Sequence, residues 1–148
     1  MSYPEDAVEA RSQGWRTLAA LHARIEDRLG RALESAHAIS VSEYMVLDVL
    51  SRQAEHHLRM QQLANAVVLS QSATTRLVAR LEERGLLARF ICADDRRGIY
   101  TELTDAGRAL LSEARPTHDQ ALRQALQEAD QLPELAPLVR ALEQLTSV

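Results

Sequence analysis

The positions Trp15, Leu18, His22, Ile25, Leu29 and Leu33 advance by three or four residues, with Arg16, Arg24, Glu26, Asp27, Arg28, Arg31 and Glu34 between them. That period is one face of a helix, so residues 12–36 are predicted to form a long amphipathic helix. Gly30 inside it costs about 1 kcal/mol relative to alanine, too little to break it. Residues 1–10 carry no such pattern and are expected to fray. Ser40 and Ser42 then offer N-caps for S-E-Y-M-V-L-D-V-L-S, ending near Gln53. Its apolar residues lie nearly all round, as in a central buried helix.

Residues 58–104 read as a short helix, a turn, a longer helix and a hairpin. In the first helix Leu63 and Ala64 face its predecessor, and Val67, Val68 and Leu69 are expected to plug the turn. Ser70 caps the second, whose interior face is Ala73, Leu77, Val78 and Leu81. Gly85 ends it. Leu87, Arg89 and Ile91 alternate with Ala88, Phe90 and Cys92 as in a strand, and I-Y-T-E-L is its partner across the tip A-D-D-R-R-G.

Thr104 and Asp105 form an N-cap and acidic first turn for another long helix, in which Pro116 is expected to introduce a kink. Q-E-A-D-Q-L-P-E-L is a break, with Pro133 starting a last helix through Val139, Leu142 and Leu145. The first helix and the last two have apolar stripes too long to bury on so small a central unit. Pairing with a second copy of the chain is the expected solution.

The fold class is therefore mainly α with a small β-wing: a winged helix-turn-helix in residues 40–103, flanked by long dimerisation helices at 12–36 and 104–147, within a single domain of 1–148. Only 3% of residues are aromatic, which also favours helix. No apolar run approaches the roughly 20 residues of a membrane span, and no signal peptide is evident. One cysteine permits no internal disulfide, and a cytoplasmic protein is expected.

A net charge of −4 argues against a nucleic-acid binder until it is mapped. Residues 59–100 hold seven arginines against four acids, whereas the remainder holds ten against 17. The positive charge sits where the winged motif needs it. The helix after the turn presents Gln71, Ser72, Thr75, Arg76 and Arg80 opposite its apolar face. Gln and Arg hydrogen-bond base edges, while Ser and Thr serve phosphate or base. Candidate DNA contacts are Ser70, Gln71, Ser72, Thr74, Thr75, Arg76 and Arg80, with Arg96 and Arg97 reaching a minor groove from the hairpin tip. Asp95 is expected to position Arg97.

With D-R-R-G-I-Y-T-E-L-T for a wing and L-S-Q-S-A-T-T-R-L-V-A-R-L-E-E-R-G-L-L for a recognition helix and following strand, the chain resembles the MarR family of transcriptional regulators over roughly residues 12–146. Val68 departs from the glycine many helix-turn-helices have there, and Thr74 from a larger apolar residue. The resemblance implies a homodimer on a pseudo-palindromic DNA operator with half-sites about 10 bp apart. It also implies a repressor released by a small-molecule effector, often phenolic or an aromatic acid, in a pocket between the dimerisation helices and the winged region. Trp15, His22, His37, Tyr44 and Met45 are the pocket candidates.

Two other readings compete: a winged-helix module that binds protein, and a redox-responsive regulator acting through Cys92. A polar helix face and an arginine pair fit DNA better than an apolar partner. His56-His57 lacks the further ligands a metal needs, so no metal or cofactor is expected. No phosphate loop or nucleophile with a recognisable base is present, so an enzyme is not expected either.

Overall fold

The computed structural model describes the backbone of residues 3–92 and 95–145 and the side chains of residues 5–91 and 98–145. Helices α1 (Tyr3–His37) and α2 (Val41–Ser51) are followed by strand β1 (His57–Arg59), helices α3 (Met60–Val67) and α4 (Gln71–Glu83), strands β2 (Leu87–Cys92) and β3 (Asp95–Leu103), and helices α5 (Asp105–Asp130) and α6 (Ala136–Gln144). The fold is mostly helical with one small antiparallel sheet in the order β1-β3-β2.

The chain divides into two compact units, one of Met1–Ala32 with His118–Val148, the other of Leu33–Thr117. Both long helices, α1 and α5, pass from one unit to the other. In the first unit Leu21, Leu126, Ala129, Leu135 and Val139 form the core, with Ile25, Leu122 and Leu138 packed against it. Leu21 lies outside the predicted stripe, whereas two stripe residues, Trp15 and Leu18, are 69% and 47% exposed. The helix also begins at Tyr3, not near residue 12, so its first turns extend beyond the amphipathic pattern.

In the second unit the capping logic holds. Ser40 Oγ accepts the Glu43 N–H at 3.0 Å while the Glu43 carboxylate accepts the Ser40 N–H at 2.9 Å, a reciprocal box that starts α2. Ser70 Oγ accepts the Ala73 N–H at 3.1 Å and starts α4. Thr104 Oγ1 accepts the Gly107 N–H at 3.0 Å and starts α5. That helix continues unbroken through Pro116.

Three local expectations are corrected. His57–Arg59 is a strand paired with Tyr100–Glu102, where helix was expected from residue 58. Val68 does not plug the turn: Val67 is buried, but Val68 adopts φ 57°, ψ 46° and is 85% exposed. A left-handed residue after a helix turns the chain back, and here it also turns the side chain outward. The last helix starts at Ala136 with Pro137 in its first turn, rather than at Pro133.

Candidate nucleic-acid interface

Helix α4 buries Leu77, Val78 and Leu81 and leaves Gln71, Ser72, Thr75, Arg76 and Arg80 exposed. Arg76 and Arg80 are exposed and have no ion-pair partner among the described residues. Thr75 Oγ1 donates to the Gln71 carbonyl at 2.9 Å, which leaves its lone pairs directed outward as acceptors.

Thr74 is a correction. It is fully buried, and its hydroxyl donates to the Ser70 carbonyl at 2.9 Å. Placed between Leu77, Val78 and Leu81 on the helical wheel, it belongs to the core and cannot present itself to DNA. The hydroxyl needs no outside partner because the helix's own backbone satisfies it.

The C-terminal end of α4 is fastened from two sides. Arg84 Nη1 donates to the Ala38 carbonyl at the end of α1 at 2.9 Å and lies 3.8 Å from the Glu43 carboxylate. Thr104 Oγ1 donates to the Gly85 carbonyl at 2.7 Å, and the Thr104 N–H to the Leu86 carbonyl at 3.1 Å. Gly85 supplies the positive φ, 75°, that reverses the chain into β2.

Between the start of α4 and the wing lies an open groove of about 350 Å³ lined by Arg59, Gln61, Gln71, Thr75, Arg89 and Gly98. The Arg59 guanidinium sits 5.5 Å over the Tyr100 ring, and its Nε donates to the Tyr100 hydroxyl at 3.0 Å. Glu82 accepts from Arg89 Nη2 at 2.8 Å and from the Arg89 main-chain N–H at 3.1 Å. The hydrogen-bonded guanidinium holds the Glu82 carboxyl below the usual carboxylate range, and Glu82 holds Arg89 above its ordinary value. Arg59, Gln61 and Arg89 were not among the sequence candidates. Only the fold brings these three beside Gln71.

The wing falls partly outside the description. Arg96 and Arg97 lie in strand β3, whose span begins at Asp95, and not in the turn itself. The side chains of Cys92, Asp95, Arg96 and Arg97, on which the positioning and redox readings turn, lie outside the described residues. Phe90 and Tyr100 pair across the strands with rings 5.6 Å apart, and His57 meets both edge-on.

The pocket candidates fall in different units. In the first, Trp15 is exposed, and His22 Nε2 lies 3.5 Å from Glu26. In the second, His37 Nε2 is 2.8 Å from Thr117 Oγ1, Tyr44 is buried and Met45 is half-buried. No group of three or more His, Cys, Asp or Glu side chains able to hold a metal is found among the described residues. No helix among them is long and apolar enough to cross a membrane.

The MarR family model matches residues 39–99. The structure is similar to Sco3205, a MarR family transcriptional regulator from Streptomyces coelicolor crystallised in complex with DNA, at 31% identity and a TM-score of 0.73, covering 88% of this chain and 86% of that one. It is also similar to the transcriptional regulator BldR from Sulfolobus solfataricus, at 26% identity and a TM-score of 0.75, covering 93% and 98% of the two chains. The transcriptional repressor MprA of Escherichia coli is 30% identical over 116 residues, 74% of this chain and 66% of its own length. Matches to the curated relatives span 60% to 66% of those proteins. A helix-turn-helix with its wing in this order, joined to the likeness to Sco3205 over most of both chains, establishes that the chain belongs to the MarR family of transcriptional regulators.

Proposed function

We propose that the protein is a cytoplasmic homodimer that reads a pseudo-palindromic DNA operator with α4 in the major groove and the wing beside it, and represses transcription there. The observation that carries this is the face of α4. Gln71, Ser72, Arg76 and Arg80 are exposed, and the two arginines have no ion-pair partner among the described residues. An exposed cationic face without internal partners is suited to phosphates and base edges. Ser70, at the helix start, and Thr75 complete the contact set, together with Arg96 and Arg97 from the wing sequence.

Dimerisation is supported by Val8, Trp15 and Leu18. They lie on one face of α1 and are 55%, 69% and 47% exposed in the single chain. Apolar side chains spaced by seven and three along a helix make a seam suited to a second copy. An aromatic-acid effector would act by binding better to the dimer whose two α4 helices are spaced wrongly for the operator.

The test is a gel-shift series on the duplex upstream of the protein's own coding sequence, across salt concentrations. Wild type is expected to bind with a steep salt dependence. Arg76→Ala with Arg97→Ala should weaken binding and flatten the slope by about 0.9 for each phosphate no longer neutralised. Absence of binding at low salt, or binding indifferent to both substitutions, would falsify the proposal.

A further inference from the structure

We infer that Glu82 is a positioning residue: it sets the spacing between the recognition helix and the wing by gripping β2 at Arg89. The inference rests on the DNA-reading function proposed above.

Glu82 takes hold of main chain and side chain together. Its Oε2 accepts the Arg89 N–H at 3.1 Å and Nε at 3.2 Å, while its Oε1 accepts Nη2 at 2.8 Å. An ion pair of flexible side chains alone would leave the strand free to shift. A carboxylate bound to the strand's own N–H does not.

The grip is also in the right place. At 100° per residue, Gln71, Thr75 and Glu82 fall within about 40° of one another on α4, a single helix edge. Gln71 and Thr75 line the groove from the helix, and Arg89 lines it together with Gly98 and Ile99 of the wing. On the far side, Gly98 packs against Arg59, whose Nε lies 3.4 Å from where a Cβ would stand. The occupant expected for a groove between a recognition helix and a wing is the sugar-phosphate backbone crossing from major to minor groove. Its width therefore decides whether helix and wing engage one duplex at once.

Stability alone is a poor reason for the pair. Both side chains are about one third exposed, at 34% and 35%, and ion pairs of that exposure contribute little. A carboxylate beside a phosphate path also opposes binding by charge. Simple electrostatics thus predicts tighter DNA binding when Glu82 is removed, and the positioning role predicts the opposite for operator DNA.

Glu82→Ala and the milder Glu82→Gln are to be compared with wild type in two measurements. The first is affinity for operator and for an unrelated duplex at fixed salt. Operator affinity is expected to fall by about tenfold in Glu82→Ala, comparable to one mismatched base pair, while affinity for the unrelated duplex holds or rises. The second is amide hydrogen exchange of the free protein, expected to speed up in β2 and β3 with α4 unchanged. If both affinities rise together, or exchange in the hairpin does not change, the inference is overturned. Should wild type fail to distinguish operator from unrelated DNA, the DNA-reading function falls, and the exchange experiment still judges the grip.

Discussion

Gly107 and Leu86 approach so closely that no side chain fits between them: a Cβ on Gly107 would lie 2.2 Å from the Leu86 carbonyl oxygen and 2.8 Å from Leu103 Cδ1. The first turn of α5 is thus laid directly on the backbone that leaves the recognition helix. Gly107→Ala must push that backbone away, at a cost of about 2–3 kcal/mol. Gly14→Ala, where nothing lies within 4 Å, is the control and should stabilise α1 by roughly 0.5–1 kcal/mol. Urea unfolding midpoints decide it, and equal midpoints for Gly107→Ala and wild type would contradict the packing.

Val68 holds a left-handed conformation that β-branched residues strongly disfavour, and its exposed side chain makes little compensating contact. Val68→Gly is expected to raise stability by about 1 kcal/mol, part of the relief being offset by the looser unfolded chain. Thermal melting reads this directly. A lower melting temperature would mean that the valine side chain contributes more than its geometry costs.

Thr74 and Arg76 are two residues apart and lie on opposite faces of α4, one buried and one exposed. Thr74→Val keeps the shape of a buried side chain, and the Ser70 carbonyl still accepts the main-chain N–H at position 74, so operator affinity should change less than twofold. Arg76→Ala should weaken it by about tenfold. A large drop from Thr74→Val with unchanged folding would return that residue to the DNA surface.

Acid should loosen the Glu82–Arg89 pair. Because the folded carboxyl titrates below its unfolded value, its contribution to stability is fully present above the ordinary carboxylate range and is lost as pH falls through the folded value. The difference in urea midpoint between wild type and Glu82→Gln is therefore expected to be constant near neutrality and to shrink in acid, and to shrink with added salt as well. A difference independent of pH would show that charge is not involved.

Trp15 is the chain's one tryptophan, and its exposure makes it a reporter of the proposed dimer seam. Dilution is expected to shift its emission to the red as copies separate, and Leu18→Asp should move that transition to higher concentration. Emission independent of concentration, with a monomer mass in solution, would remove the seam from α1.

Elements carried by short-range chemistry were legible in the sequence. Ser40, one of two serines offered before α2, Ser70 before its apolar face, and Thr104 before Asp105 each announce a helix through groups close along the chain, and each of these caps forms. What was missed depends on distant partners. β1 is a strand only because Tyr100–Glu102 arrives beside it, and nothing in H-L-R announces that. Glu82 and Arg89 are seven apart across a chain reversal, a spacing that the pattern of neither element selects. Thr74 misled because threonine suits either face, and its buried hydroxyl is satisfied by the Ser70 carbonyl one turn back in the helix. In α1, the apolar period continues past the residues that this chain alone can cover, so Trp15 and Leu21 could not be sorted by pattern.

The fastening of α4 at one end has a mechanical consequence. Arg84 and Gly85 are tied to Ala38 and Thr104, while Ser70 and Gln71 stand at the other end of a helix of 13 residues, roughly 20 Å away. The inner face of α4 is packed along its length through Thr74, Leu77, Val78 and Leu81, and its polar ties to α1 and α5 gather at the end away from the residues proposed to read DNA. A tilt of about 5° at the anchorage carries the tip through roughly 1.7 Å, over half the length of a hydrogen bond. A shift at Ala38 or Thr104 is therefore magnified at Ser70 and Gln71, the end proposed to enter the groove, where it exceeds what a hydrogen bond to a base tolerates.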